Sequence, residues 1–370
     1  MKPEMRRAFW VFLATTFAGM LIFAIAAYQV FRFPDRSAGP SRGNMQITIP
    51  RGATAQDVST ILEDAGLIKN PLLFRLYSVQ RGAASRIRPG TYQVKAPITP
   101  KELVDTLVRG VADKLVAITI PEGKTFVEIA DLLDAAGITR KTEFISTAVN
   151  ANFVRGLELP GPSLEGYLYP DTYRFRPRSA AAEVASFMVR RHKQVYGELR
   201  GQYAAGLDKL RQTLGFEDRH VVTLASIVEK ETGRADERPR IAQVLINRLT
   251  LPNFKPRILQ TDPTIIYGCT VAPLALGKAS PACQKFKNNN IQRIHLNDRE
   301  NEYNTYTNEG LPPGPIANPG RGSLAAVMKP DGSPFLYYIG AGGVTYFSAT
   351  QAEHEGKVSR YLLGGRPMRK

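Results

Sequence analysis

A long apolar run near the amino terminus limits the fold of this chain more than any other feature. Between Ala8 and Phe31 the only clearly polar side chains are Thr15, Thr16 and Gln29. As an α-helix, about two dozen residues rise roughly 36 Å, which is enough to cross a hydrocarbon layer of ~30 Å. No later segment is long enough to cross again. We therefore expect one N-terminal transmembrane anchor and a body on one side of the membrane.

Basic residues stand on both sides of this run. Those before it favour a cytoplasmic amino terminus, and those after it weaken that bias: Lys2, Arg6 and Arg7 before, and Arg32, Arg36 and Arg42 after. A cleaved secretory peptide is the alternative, because Ala24-Ile25-Ala26 has a small-x-small pattern. The run is longer than the roughly 7 to 15 apolar residues of such peptides. We expect a single-pass protein of the inner (plasma) membrane with an extracytoplasmic body.

The composition of the chain indicates a folded body with an unusual charge. Its 370 residues are 43% hydrophobic, so the part after the anchor can bury a core and form two or three domains. The formal charge of +16 would suggest nucleic acid in a cytosolic protein. Outside the cytoplasm, anionic lipid headgroups or an anionic wall polymer are the available partners. A generally Arg-rich surface explains the charge equally well.

Two segments repeat one pattern of strand, turn and short helix. Ile49-Pro50-Arg51-Gly52 and Ile120-Pro121-Glu122-Gly123 each end a predicted strand. Each copy then has a helix cap and a closing glycine at matching positions: Thr54 and Gly66 in the first, and Thr125 and Gly137 in the second. The first copy continues into another strand and a helix from Pro100 to Val108. It therefore predicts a small α+β module.

An aromatic block and a hairpin are the other distinctive segments. Tyr167, Tyr169, Tyr173 and Phe175 alternate with polar residues, as in a groove wall that stacks on sugar rings, but composition alone favours the edge of a core. Near the end of the chain, two short runs flank four small residues and predict a β-hairpin: Phe335 to Ile339 and Val344 to Ser348 around Gly340-Ala341-Gly342-Gly343.

One predicted helix is the most informative about chemistry. It extends from about Arg219 to Thr232, with Asp218 as the expected N-cap and Gly233 just past its end. Its apolar stripe falls at i, i+3, i+4 and i+7 and ends in a carboxylate: Leu224, Ile227, Val228 and Glu231. Glu229 points toward a different side of the helix.

A carboxylate at the inner end of an apolar stripe either escapes to solvent or lies in a partly dry cleft. The first case is the commoner one. In the second, desolvation raises the pKa of the glutamate, and the C-terminal helix dipole acts in the same direction. A proton that is available near neutral pH is what cleavage of a glycosidic bond needs.

Other chemistries lack their usual local signals. The four histidines, His192, His220, His295 and His354, are scattered and none has ligand spacing, so no metal or other cofactor is expected. There is neither a GxSxG elbow nor a GxxxxGK[ST] phosphate loop. The two cysteines, Cys269 and Cys283, could form a disulfide or stay free.

Two loops after this helix are rich in amide, hydroxyl and aromatic groups on a proline-stiffened backbone. They extend from Leu259 to Gly268 and from Glu302 to Gly320. Such groups could line a polysaccharide groove, or the loops could be surface segments held by turn chemistry.

Six blocks of the sequence resemble the signature blocks of the endolytic murein transglycosylases of the MltG (YceG-like) family. They are Ala225–Thr232, Leu259–Thr264, Tyr303–Tyr306, Gly310–Ile316, Leu164–Gly166 and Tyr169–Tyr173. The anchor followed by a LysM-like module matches as well, so the resemblance covers nearly the whole chain. The stretch from Cys269 to Lys287 is the least similar part.

The resemblance implies a lysozyme-like catalytic region in which one glutamate, followed by a small hydroxyl residue, acts as acid and base. Glu231-Thr232 is the matching pair, in agreement with the helix stripe, and Glu229 is the second candidate. The residues expected to hold the glycan or shape its cleft are Gln260, Asp262, Tyr267, Asn304 and Tyr306, with Glu165 and Tyr167.

The expected fold is α+β, with a transmembrane helix, LysM-like modules and a lysozyme-like transglycosylase region that ends in a β-hairpin. The expected division is a cytoplasmic terminus (1–7), the anchor (8–31), a linker (32–44), a LysM-like module (45–112), a second Ile-Pro-x-Gly module (113–160), the catalytic region (161–363) and a basic tail (364–370). The expected partners are peptidoglycan strands and the membrane, could include peptidoglycan synthases, and exclude nucleic acid.

Three functions remain open on the sequence. A lytic transglycosylase would cleave the bond between N-acetylmuramic acid and N-acetylglucosamine and leave 1,6-anhydro ends, without a second carboxylate or a positioned water. A hydrolase on the same glycan would leave reducing ends. A non-catalytic wall-binding scaffold would release no fragments.

Overall fold

The computed structural model describes residues 3–36, 39–110 and 115–364. The chain forms two compact units, Met1–Asp113 and Lys114–Lys370. We call them the N-terminal unit and the C-terminal unit. Both combine helices with short strands, so the expected α+β class is confirmed.

The N-terminal unit begins with a long apolar helix. The stretch from Thr15 to Asp35, which includes the end of this helix and the turn after it, is long and apolar enough to cross a membrane. No second such stretch lies in the described ranges. A membrane anchor and a signal sequence both fit this finding. The unit contains α1 (Pro3–Arg32), β1 (Gly43–Ile49), α2 (Ala55–Asp64), α3 (Pro71–Gln80), β2 (Gly90–Ala96) and α4 (Pro100–Arg109).

Strands β1 and β2 pair antiparallel and present one face to a small core. Ile47 lies opposite Tyr92, and both are buried, whereas Gln46 and Gln93 pair on the exposed face. The alternation of apolar and polar residues along each strand decides which face is buried. Phe74 of α3 and Leu103, Val104 and Leu107 of α4 complete the core of this unit.

Both copies of the repeated pattern form as the sequence predicts. The Thr54 side chain accepts a hydrogen bond from Asp57 N, and that of Thr125 accepts one from Glu128 N, so each threonine caps its helix in a capping box. Gly66 and Gly137 follow the two helices with positive φ values of 66° and 67°. The left-handed closing geometry is confirmed in both copies.

The C-terminal unit is mainly helical and has two strand pairs. Its strands are β3 (Val116–Thr119), β4 (Thr172–Phe175), β5 (Tyr337–Ala341) and β6 (Val344–Ser348). Its helices are α5 (Phe126–Ala135), α6 (Lys141–Ala148), α7 (Ala151–Gly156), α8 (Ala181–Gln202), α9 (Ala204–Leu214), α10 (Asp218–Glu231), α11 (Arg238–Thr250), α12 (Asp262–Thr270), α13 (Ala272–Leu276), α14 (Arg293–Leu296), α15 (Arg321–Met328) and α16 (Gln351–Tyr361).

One core runs through this unit from Ile118 to Met328 and includes the second Ile-Pro-x-Gly segment. The pair β3–β4 joins that segment to the aromatic block, because Ile118 lies opposite Tyr173. The aromatic block is buried, with Tyr173 3% and Tyr167 5% exposed. The edge of a core, favoured by composition, is therefore the correct interpretation of the block.

Helix α10 lies at the centre of the unit and packs against α11, α12 and α15. All eight residues from Val221 to Val228 are buried. The helix begins one residue earlier than predicted: Asp218 is its first residue, and Glu217 is the N-cap, whose backbone N–H bonds to His220 Nδ1. The predicted N-cap at Asp218 is wrong, because His220 Nδ1 accepts a hydrogen bond from the backbone N–H of Glu217 and so caps the helix one residue earlier.

A disulfide and a β-hairpin stabilise two further segments of the C-terminal unit. Cys269 and Cys283 form a disulfide, which joins α12 to the stretch that resembles the family least. Strands β5 and β6 pair antiparallel, with Tyr338 opposite Phe347. The basic tail after Gly364 lies outside the described residues.

Candidate active site

The two candidate glutamates at the end of α10 have different surroundings. Glu229 lies within the last turn and Glu231 is the last residue of the helix. Thr232 follows in an extended conformation, which turns the chain away from the helix axis. The two carboxyl groups therefore reach different parts of the molecule.

Glu229 is fully engaged by protein groups. Its side chain is 5% exposed, and Arg238 Nη2 donates to Oε1 over 3.0 Å. The backbone N–H of Gly320 donates to Oε2, also over 3.0 Å. Both oxygens thus stabilise the junction between α10, α11 and α15, where a charged pair with hydrogen bonds is favourable. Glu229 does not line either cavity of the groove described below.

Glu231 is partly buried and opens into a groove. Its one hydrogen bond comes from the Tyr338 hydroxyl, which donates to Oε2 over 2.7 Å. The carboxyl group lines a cavity of about 320 Å³ with Lys230, Arg248, Gln260, Asp262, Pro263, Tyr306 and Tyr338. One oxygen is therefore left for a bound molecule.

The pKa of Glu231 is raised to about 7. Burial is the largest cause, and the nearby negative charge of Asp262 adds to it, whereas the Tyr338 hydroxyl and the Arg248 guanidinium act against it. Near neutral pH this group can both hold and release a proton, which is the property of a general acid and base.

Asp262 is the first residue of α12 and is held there by buried hydroxyl groups. Thr261 N donates to Thr305 Oγ1 over 3.0 Å, and the hydroxyl groups of Thr264 and Thr305 are 2.9 Å apart. The Tyr306 hydroxyl donates to Asp262 Oδ1 over 2.6 Å. This network fixes the carboxylate and the phenol on one wall of the groove.

Gln260 has an unusual backbone conformation at the groove. Its φ is 53°, in the left-handed region that residues other than glycine, asparagine and aspartate seldom adopt. Its N–H donates to Thr305 O over 3.0 Å, which secures the conformation. Backbone strain of this kind is concentrated at functional sites. Gln260 is exposed and lines both the cavity at Glu231 and the neighbouring cavity.

A second cavity of about 470 Å³ continues the first one. The two share Arg248, Gln260, Tyr306 and Tyr338. The second cavity adds Phe254, Tyr337 and His354, whose rings could stack on sugars. The two cavities together form a groove that extends past the carboxyl group, rather than a closed pocket.

Sequence reasoning missed the two groove residues, Arg248 and Tyr338, that lower the pKa of Glu231. Arg248 is 6% exposed; its Nε donates to Leu336 O over 2.7 Å and another of its nitrogens donates to Leu259 O. It follows Val244 and Leu245 at i+4 and i+3, so a charge on the apolar stripe of α11 was a usable signal. Tyr338 gave no local signal, since it lies 107 residues from Glu231.

Apart from Glu229, the predicted site residues divide into three groups. Glu231, Gln260, Asp262 and Tyr306 meet in the groove. Glu165 and Tyr167 line a separate cavity of about 540 Å³ near Arg219 and Pro312. Two further predicted residues line neither cavity and are buried: Tyr267, which packs on Tyr303 with ring centroids 4.9 Å apart, and Asn304.

Asn304 fixes part of the groove from behind its wall. Asn304 Nδ2 donates to the carbonyls of His295, Leu296 and Asp298, and its Oδ1 accepts from Tyr306 N over 3.0 Å. It therefore fixes the backbone of Tyr306.

Glu165 accepts hydrogen bonds from Phe126 N and Asn318 Nδ2, the latter over 2.8 Å. Burial raises the pKa of Glu165 to about 8. The catalytic and binding roles of all these residues stay predictions.

Metal ligands are not gathered at the groove. Within residues 3–36, 39–110 and 115–364, no group of three or more His, Cys, Asp or Glu side chains could hold an ion. The groups that surround Glu231 in the groove include hydroxyl, amide, carboxylate and guanidinium groups.

Comparison with known proteins adds independent findings. The sequence profile of the YceG-like family matches residues 47–360. An endolytic murein transglycosylase of Bacillus subtilis (strain 168) is 29% identical over 343 residues, which covers 87% of this chain and 86% of that protein. One of Streptococcus pneumoniae serotype 2 (strain D39) is 27% identical over 96% of this chain and 64% of its own length.

A solved structure is also similar. The crystal structure of a YceG-like protein from Listeria monocytogenes superposes with a TM-score of 0.51 and 30% sequence identity. The match covers 85% of this chain and 99% of that one.

Proposed function

The chain belongs to the YceG-like family, and from that premise we propose that it is an endolytic lytic transglycosylase that cleaves peptidoglycan strands between N-acetylmuramic acid and N-acetylglucosamine. The observation that carries the proposal is Glu231. It is a partly buried residue whose carboxyl group has a pKa of about 7, a hydrogen bond from the Tyr338 hydroxyl and an open groove in front of it. A groove that continues past the acid suits cleavage within a strand.

The proposed reaction needs one acid and no added water. Protonated Glu231 gives its proton to the glycosidic oxygen, and the bond from that oxygen to C1 of N-acetylmuramic acid breaks through an oxocarbenium-like state. The C6 hydroxyl of the same sugar then forms the new bond to C1. Its proton passes to the Glu231 carboxylate, which restores the acid. The product is a 1,6-anhydro end together with a free 4-hydroxyl group.

The neighbouring side chains adjust this acid and hold the sugar. Tyr338 orients Glu231 through its hydroxyl group, and Asp262 and Arg248 shift the pKa of Glu231 in opposite directions. Gln260, Asp262 and Tyr306 offer hydrogen bonds to hydroxyl and acetamido groups of the glycan. Tyr267, Asn304 and Glu165 act as positioning residues behind the groove wall, and Tyr167 shapes the neighbouring cavity.

The rest of the chain would place this groove near nascent glycan. We assign α1 as an anchor in the inner membrane, with the body outside the cytoplasm, and residues 45–112 as a LysM-like module. Residues 113–160 belong with the catalytic region at 161–363 because they share one core. Peptidoglycan synthases, which supply new strands at the membrane, are the proposed protein partners.

Two isosteric substitutions at the end of α10 test the assignment. Digestion of purified sacculi is followed by mass spectrometry of the released fragments. We expect Glu231→Gln to lower the rate of anhydro-end formation by about 10²- to 10⁴-fold, because the general acid is lost. Glu229→Gln is the matched control, in the same helix turn. It should keep the rate per folded molecule and lose stability through Arg238.

The other outcomes distinguish the rival functions. If Glu229→Gln were the inactive variant, the helix phase would be wrongly assigned. Reducing ends in place of anhydro ends differ by one water and would identify a hydrolase. Binding to sacculi without any released fragment would support a scaffold and contradict the proposed reaction.

A further inference from the structure

Helix α3 carries an exposed apolar stripe. Leu72, Leu76 and Val79 are 60%, 57% and 59% exposed. They fall on one side of the helix, opposite Phe74 and Ser78, which face the core of the N-terminal unit. Soluble proteins rarely leave three large apolar side chains in one exposed stripe without a partner for them.

The position of this helix relative to α1 limits what that partner can be. Phe33, directly after α1, packs on Tyr77 of α3, with ring centroids 6.2 Å apart. Phe33 also lies within the stretch Thr15–Asp35, which is apolar and long enough to cross a membrane. If that stretch spans the bilayer, α3 is held at the point where the chain leaves the membrane.

The charge around the stripe points to the same partner. Between Asp64 and Glu102 the sequence contains no acidic residue and seven basic ones. They are Lys69, Arg75, Arg81, Arg86, Arg88, Lys95 and Lys101. Three of these, Lys69, Arg75 and Arg81, lie beside or within α3, and Arg81 also forms an ion pair with Asp105 over 3.6 Å. Basic residues beside an apolar stripe are typical of helices that lie in the interface of an anionic bilayer.

We propose that α3 docks on the membrane surface, with Leu72, Leu76 and Val79 inserted among the headgroups of anionic lipids. This inference rests on the anchor assigned under the proposed function and goes beyond it. The N-terminal unit is then held against the bilayer at two places, α1 and α3, instead of hanging from a tether. Its orientation to the membrane is thereby fixed.

Tryptophan quenching by brominated lipid tests the docking in the full chain. The chain has one tryptophan, Trp10, within α1. The wild-type protein is reconstituted in vesicles of phosphatidylcholine with a minority of phosphatidylglycerol. Quenching of Trp10 reports whether α1 is in the bilayer.

In a Trp10→Phe background, Leu76→Trp then reports on α3, and Gln93→Trp is the matched control. Gln93 is exposed on the open face of β2.

We expect the reporter at position 76 to be quenched several-fold more strongly than the reporter at position 93, and less strongly when phosphatidylglycerol is omitted. Equal quenching at the two positions, with Trp10 still quenched, would overturn the docking and leave the anchor intact. Loss of Trp10 quenching would overturn both. Formation of anhydro ends by the same preparations is measured separately, so a failure of the catalytic proposal is recognised independently.

Discussion

Two glutamates of the C-terminal unit, Glu165 and Glu231, have raised pKa values, and they differ in how many protein donors bind their oxygens. Burial is the largest cause of the shift at both, to about 8 and about 7. Glu165 is 2% exposed, and its oxygens are taken by Phe126 N and Asn318 Nδ2. Glu231 has one hydroxyl partner and faces a groove. Both glutamates line a cavity, so neither desolvation nor a neighbouring cavity identifies the catalytic acid; an oxygen that no protein donor occupies is also needed.

The largest expected effect is the loss of stability on replacing Glu165. Glu165→Leu should lower the free energy of unfolding by about 3 kcal/mol, because the N–H groups of Phe126 and Asn318 lose a buried acceptor. Glu165→Gln keeps an acceptor oxygen and should cost less than about 1 kcal/mol. Urea unfolding followed by circular dichroism measures both. Equal losses in the two variants would show that the hydrogen bonds at this position contribute little.

A pair of substitutions around Glu231 should move the pH dependence in opposite directions. The reaction needs protonated Glu231, so the rate should fall above pH 7, where the group ionises. Tyr338→Phe removes a hydrogen bond that lowers the pKa of Glu231. It should move the pH at which the rate falls upward by about one unit. Asp262→Asn removes a negative charge that raises the pKa of Glu231, and should move the pH at which the rate falls downward. Rates of anhydro-end formation at a series of pH values test both, and shifts of the same sign would contradict the assigned charges.

The smallest effect is a difference in how stability depends on pH. Both glutamates have pKa values in the folded protein above the ordinary 4.5, so the folded protein binds these two protons more tightly than the unfolded chain does. The stabilisation that each protonated glutamate contributes is therefore complete below about pH 4.5. It is lost as the pH rises to the folded pKa, which is about 7 for Glu231 and about 8 for Glu165. Between pH 7 and 8 the wild type should lose about 1 kcal/mol through Glu165.

The Glu165→Gln variant should lose much less over this interval. Urea titrations at the two pH values measure the difference. If both proteins lost the same stability, the raised pKa of Glu165 would be contradicted.

Local features of the fold were predictable because neighbouring residues determine them. The capping boxes at Thr54 and Thr125 and the left-handed glycines Gly66 and Gly137 follow from short-range hydrogen bonds and steric freedom. The start of α10 was misplaced by one residue because a histidine took part in the cap, which propensity did not anticipate.

The site was only partly predictable. Gln260, Asp262 and Tyr306 were expected in the groove and lie there, whereas Tyr267 and Asn304 lie behind its wall. Aromatic and amide residues look alike in a loop sequence whether they face a ligand or satisfy buried backbone groups. Only the packed chain distinguishes the two.

The sequence by itself determined that α1 contains a long apolar run and that the stripe of α10 ends in Glu231, because both follow from residue type and helical period. The tertiary structure alone decided that Arg238 and Gly320 engage Glu229 while Tyr338 and an open groove face Glu231. The pKa and the accessibility of a carboxyl group depend on burial and on charges a few ångströms away. Those neighbours come from 9 to 107 residues along the chain, so no local pattern contains them.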